Sequence, residues 1–133
     1  MLYEVRTVAL AVPFDTAFDY VADMTKLPEW TNAFAEVSKD GKALMRTPEA
    51  EVPVQLEGNV DRKNGVIDTK MTFPDGNVGT AYSRLIALSA ESCAYSFLLT
   101  PPPVALEELE GALSTQAGIL EQELQTLKAK LEG

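Results

Sequence analysis

The sequence predicts an α+β domain in which seven antiparallel strands form one curved sheet and a long C-terminal helix covers its apolar face. Three observations carry this prediction. A Val- and Leu-rich strand opens the chain and is followed by two short helical segments. Turn signals then recur at short intervals, at Asp40-Gly41, Asn64-Gly65, Pro74-Asp75-Gly76 and Ala90-Glu91-Ser92, so the strands between them read as successive hairpins. Finally, a leucine stripe spaced by alternating threes and fours runs from Leu106 to Leu131.

Residues 2–12, LYEVRTVALAV, read as the first strand, bounded by Pro13. Pro13 suits the opening of a helix, where its missing N–H is no loss. FDTAFDYVAD then places Phe14, Ala17, Phe18 and Val21 at helical spacing, and MTKLPEW forms a second helical turn ending near Trp30. Six strands follow: FAEVSK, KALMRT, VPVQLEGNVDR, VIDTKMTF, NVGTAYSRLIAL and CAYSFLLT. Short connections make sequential strands antiparallel neighbours. Pro101-Pro102-Pro103 stops the sheet. The final helix, about Val104 to Glu132, has acids near its start and Lys128 and Lys130 near its end, as the helix dipole favours. At 1.5 Å per residue it is roughly 40 Å long, enough to cross the sheet.

The chain of 133 residues fits one domain, residues 1–133. A net charge of −9 argues against nucleic acid and anionic membrane surfaces as partners. The single cysteine, Cys93, allows no internal disulfide and reads as a small buried hydrophobe. The chain has no histidine, which removes Ser-His-Asp and Cys-His chemistry, histidine-zinc sites and the readiest general base near neutral pH. No run is long and apolar enough to span a membrane. VALAVPF after Arg6 has a faint signal-peptide look but is better explained as a strand, so a cytoplasmic location is expected.

The leucine stripe comprises Leu106, Leu109, Leu113, Leu120, Leu124, Leu127 and Leu131, with a gap at Gln116 and Ala117. Small residues surround the gap: Gly111, Ala112, Ser114 and Gly118. Each glycine inside a helix costs about 1 kcal/mol relative to alanine. Either space is being left there or the helix packs closely on strand backbone.

The order of elements, with VPFDTAFDYVADMTKLPEWTN after the first strand, resembles the START-like superfamily (SRPBCC, or Bet v 1-like). Pro13, Phe18, Tyr20, Val21, Asp23, Leu27, Pro28 and Trp30 match a segment common in that family. TFPDGNVGTAYSRLIAL and the proline-led final helix resemble bacterial members of the polyketide cyclase/dehydrase-like type. The resemblance spans essentially the whole chain and implies the helix-grip fold, with a cavity between the concave sheet face and the long helix. It does not settle function.

Strand alternation suggests the wall of that cavity. Val52, Val54, Leu56 and Val60 share one face, as do Met71 and Phe73, Tyr82, Arg84, Ile86 and Leu88, and Tyr95, Phe97 and Leu99. These faces are expected to look inward, with Trp30 and Phe34 at one end and Leu113 and Gln116 contributed by the helix. A slip of one residue inverts a strand's face. Arg84, if inward, would hold a ligand oxygen or pair with Asp68 or Glu57; otherwise it lies on the outer face. Tyr82 and Tyr95 would donate to a ligand carbonyl or be satisfied core tyrosines. Gln116 is either a polar element of the cavity or exposed. Asp15, Asp19 and Asp23 lie on one helical face, read as solvated with Lys26 nearby rather than as a cation site.

The leading functional expectation is a binder of a small hydrophobic molecule, a lipid, polyketide or isoprenoid-like compound. A polyketide cyclase or dehydratase is the alternative, with acid–base work falling to tyrosine, to a carboxylate such as Asp68 or Glu57, or to water held by Arg84; it requires an inward carboxylate of raised pKa. A third possibility is a protein-interaction module with a filled core. The balance leans away from an enzyme; catalytic residues are unassigned, and no metal or cofactor is implied. The heptad look of the leucine stripe leaves a homodimer open, although cover for the sheet is the stronger demand on this helix.

Overall fold

Alternating side chains give β1 (Glu4–Leu10) one buried edge of residues, Val8 and Leu10, and one wet one. In the computed structural model, which describes residues 3–46, 50–100 and 106–133 (side chains of 106–113 excepted), the chain then forms α1 (Phe14–Val21), a 3-10 turn (Met24–Lys26) and α2 (Leu27–Trp30). Six strands follow, β2 (Phe34–Val37), β3 (Lys42–Arg46), β4 (Glu51–Asp61), β5 (Val66–Thr72), β6 (Val78–Ser89) and β7 (Ser92–Leu99), and then the long α3 (Leu106–Glu132). The sheet order is β1-β7-β6-β5-β4-β3-β2, antiparallel throughout. This is the expected seven-stranded sheet with its C-terminal helix.

The expected first helix ends two residues early, at Val21. Asp23 leaves it because its carboxylate accepts from the Thr25 backbone N–H at 3.0 Å, capping the 3-10 turn. The acidic row on α1 is also resolved differently. Arg62 from the β4–β5 turn bridges Asp15 and Asp19 and lies over the Phe18 ring, 4.6 Å from its centroid. Lys26 instead pairs with Glu29.

The inner face of the sheet meets α3 along its later half. Ala117, Leu120, Leu124 and Leu127 are buried there with Val8, Leu10, Leu85, Cys93 and Tyr95, while α1 and α2 add Phe18, Val21 and Trp30. The register places Leu85, Tyr95 and Val8 side by side on neighbouring strands. Polar ties fix the helix at this position. Glu121 pairs with Arg6 at 2.6 Å, the Lys128 ammonium donates to the Ala9 carbonyl at 3.0 Å, and Glu132 accepts from the Ala11 backbone N–H at 2.9 Å. Cys93 is fully buried, and burial pushes its thiol pKa up, as suits an inert core residue.

Two turn glycines are sterically required. Gly65 has a φ of +70°, and a Cβ there would fall 1.9 Å from the Leu85 carbonyl oxygen; at Gly41 the φ is +87° and the Leu56 carbonyl oxygen would be 2.2 Å away. The Gly76 φ is +88°, but a Cβ there would meet nothing within 4 Å. Gly76→Ala should therefore lose only about 1 kcal/mol, from backbone conformation alone. Gly65→Ala should lose roughly 2–4 kcal/mol, because β5 and β6 must also separate. Urea unfolding of the two variants checks this, and equal losses would contradict it.

Candidate functional site

The concave face divides into two apolar regions. The first is the region gripped by α3. The second lies over β2–β5, where Phe34, Ala43, Val54 and Leu56 are buried, surrounded by half-buried Met24, Met45, Val52, Met71 and Phe73. Leu27 touches both. Register explains the second region: Phe34 lies opposite Met45, Ala43 opposite Val54, and Leu56 opposite Met71. Val54, Leu56, Met71, Phe73, Tyr95 and Phe97 all sit on the inner face, as do Trp30 and Phe34 on the elements beside it.

β6 is inverted relative to expectation. Ser83 and Leu85 are buried, whereas Tyr82 and Ile86 are 45% and 43% exposed. Arg84 points outward and donates from Nε to the Asn64 carbonyl at 3.1 Å. The inner row of this strand is Gly79, Ala81, Ser83 and Leu85, with Gly79 opposite Met71 and Ala81 opposite Thr69. The more apolar row, Tyr82, Ile86 and Leu88, is the outer one, so hydrophobicity alone selects the wrong face. Small side chains therefore cross the middle of the concave face. Tyr82 of the outer row joins Val5, Val66 and Leu98 around an open depression of about 310 Å³. Another of similar volume lies beside Phe14 and the β4–β5 turn. The first lies on the outer face, and the second is lined from both rows of β6 at the end of the sheet.

Gln116 is exposed, while its neighbour Ala117 faces the core. The Leu113 side chain, with the expected loosening from Gly111, lies outside the described residues. The carboxylates expected to partner Arg84 are also outward. Glu57 stands beside Lys70 at 4.0 Å, and Asp68 accepts from the Ser83 backbone N–H at 3.2 Å.

The polar chemistry of the inner face comes from other groups. Trp30 is 5% exposed, and its Nε1–H has no hydrogen-bond partner among the described residues. Its ring meets Tyr95 edge-on, 6.1 Å between centroids. Burial, reinforced by the negative charges of Glu123 and Asp68, pushes the Tyr95 phenol far above its ordinary pKa, so it stays neutral; the Ser83 hydroxyl partly offsets this. Glu123 extends from α3 to the end of α2, where its carboxylate accepts from the Asn32 backbone N–H at 2.6 Å. Burial raises its pKa, while the N–H groups of Asn32 and Ala33 hold it down in part. Sequence reasoning missed Glu123. The available signal was its place between Leu120 and Leu127, beside the buried stripe.

No family model and no curated protein sequence matches the chain. Solved structures match its shape over nearly its whole length. An uncharacterised protein from Bacillus thuringiensis matches with a TM-score of 0.72 at 12% identity, covering 99% of this chain and 100% of the other. The Zhui aromatase/cyclase of Streptomyces sp. R1128 matches with a TM-score of 0.69 at 15% identity, covering 98% and 93%. A START superfamily protein from Mycobacterium smegmatis matches with a TM-score of 0.68 at 14% identity, covering 98% and 97%. At these identities the likeness establishes the fold.

Glu123 supplies a pH test. Its folded pKa is raised, so its contribution to stability is greatest below the ordinary carboxylate pKa and is lost as pH rises through the raised value. Glu123→Gln should remove that decline and gain on the wild type as pH rises above the ordinary carboxylate pKa of about 4.3. Glu123→Ala should flatten the profile as well but lie about 1 kcal/mol below the Gln variant at every pH, because it strands the backbone donors. Parallel pH profiles for the wild type and the Gln variant would contradict the assignment.

Proposed function

Because this chain has the START-like (SRPBCC) helix-grip fold, we propose that it binds a small hydrophobic molecule on the concave face of its sheet. The observation carrying this reading is the half-buried wall of Met45, Val52, Met71 and Phe73, set around a strand whose inner row begins with Gly79 and Ala81. These half-buried apolar side chains are contiguous, and such patches mark binding surfaces. Burial of ligand area against them would supply the affinity, at about 25 cal/mol per Å² of apolar surface before the costs of association. Methionines suit this task, because their flexible thioethers adapt to irregular shapes.

A cyclase-type reaction on the bound molecule is the second reading. It draws on the fold shared with aromatase/cyclases and on Glu123, an inward carboxylate with a raised pKa. On this reading Glu123→Gln abolishes turnover of a linear poly-β-ketone while leaving its binding intact. Unchanged turnover in the variant would discard Glu123 as the acid–base group.

The binding reading is tested with Nile red, an uncharged apolar dye. Its fluorescence should rise on mixing with the protein. A Cβ at Gly79 would make only ordinary contacts, 3.7 Å from Met71 Cε and 3.8 Å from Phe73 Cε2, so Gly79→Leu should fold and place its bulk against the wall. It should weaken dye binding at least about tenfold, the effect of roughly 1.4 kcal/mol. Equal dye binding by the folded Gly79→Leu variant, or no binding by the wild type, would overturn the proposal.

A further inference from the structure

Resting on the binding reading above, we infer that the site selects uncharged molecules carrying a carbonyl oxygen, which accepts the Trp30 Nε1 proton, and discriminates against carboxylates of the same length. Two independent observations meet here. The first is the orphaned indole N–H. A donor this deeply buried almost always has a partner, because leaving one unmade sacrifices its hydration without return. Trp30 has none among the described residues, and it packs in the first apolar region while Leu27, three residues earlier on the same helix, touches both. An acceptor brought in by a bound molecule would satisfy it.

The second observation is the sign of the surrounding charge. The Glu123 carboxylate lies on the α3 side of α2, and both it and Asp68 act on the neighbouring Tyr95. Of the cations near α2, Lys26 is paired with Glu29, and Arg46, out of phase with the inner Ala43 and Met45 of β3, donates to the Asn32 carbonyl at 3.3 Å. Arg6, the cation on the inner rim of β1, is already held between Glu4 and Glu121. Lys128 is held by the Ala9 carbonyl and Glu132. Arg84 lies on the outer face. An anion placed beside Trp30 would lose its hydration and meet like charge. A neutral carbonyl retains the hydrogen bond and avoids both penalties. The Tyr95 phenol, kept neutral by burial, is compatible with such a guest and adds no charge of its own.

Trp30 is the chain's one tryptophan, so its signals report on this position without interference. The probes are 2-decanone, decanoate and decane at pH 8, read by tryptophan fluorescence and by the indole N–H resonance of ¹⁵N-labelled protein. The ketone should bind at least about tenfold more tightly than decanoate and several-fold more tightly than decane, as one added hydrogen bond provides. Saturation with the ketone should move the indole N–H downfield. Trp30→Phe, which keeps an aromatic ring against Tyr95, should bring ketone and decane to equal affinity. Decanoate binding as tightly as the ketone would overturn the inference. So would an indole proton unmoved by bound ketone, a wild-type measurement that does not depend on how the variant folds. If decane and ketone both bind but with equal affinity, the selectivity fails and the binding reading survives. If none of the three binds, the binding reading itself fails, and this inference with it.

Discussion

A single sheet has two faces, and this chain possesses one long helix to cover one of them. The contact between that helix and β1, β6 and β7 organises the structure. Leu120, Leu124 and Leu127 insert among Leu10, Leu85, Cys93 and Tyr95, all essentially removed from solvent. Burying each leucine is worth about 1.5–3 kcal/mol. Ties from Glu121, Lys128 and Glu132 to the edge strand β1 hold the helix in register with that core. With the cover committed there, the inner side chains of β3–β5 form a separate apolar region.

That division creates the conditions for a site. The second region is apolar yet half-open, and the strand between the two regions carries small residues on its inner row. Trp30 packs in the first region, three residues after Leu27, which touches both. Its ring is anchored edge-on against Tyr95, while its N–H has no partner among the described residues. Glu123 ties α3 to the end of the short helix bearing Trp30 and contributes negative charge beside Tyr95. The residues that seat the helix thus also set the electrostatic character of the proposed pocket. Fold and site are coupled through α2, four residues long, which contacts both regions.

The sequence made the fold legible because its turns are chemically explicit. Gly41, Gly65 and Gly76 all adopt positive φ at the expected hairpins. The inner faces of β4, β5 and β7 were legible as well, since their apolar rows are distinct from their polar rows. β6 was not. Tyr82, Ile86 and Leu88 are bulkier and more apolar than Gly79, Ala81 and Ser83, and the inner face here favours small size over hydrophobicity. The same inversion carried Arg84 to the outer face. Asp15, Asp19 and Asp23 were read as one solvated face near Lys26; Asp15 and Asp19 are exposed but bridged by Arg62, distant in sequence and brought near by the β4–β5 turn, and Asp23 caps the 3-10 turn. Glu123 was hidden for a related reason: its partners, the backbone N–H groups of Asn32 and Ala33, carry no sequence signature.

The central claim is that a hydrophobic guest enters on the concave side, against the β3–β5 wall, and not on the exposed apolar row of the outer face. Three of the chain's four methionines, Met24, Met45 and Met71, belong to that wall. Methyl NMR of ¹³C-methionine-labelled protein, titrated with Nile red, therefore reads the claim directly. The account predicts intermolecular contacts between the dye and the Met45 and Met71 methyls. Dye contacts confined to Tyr82, Ile86 and Leu98, with the methionine methyls undisturbed, would contradict it.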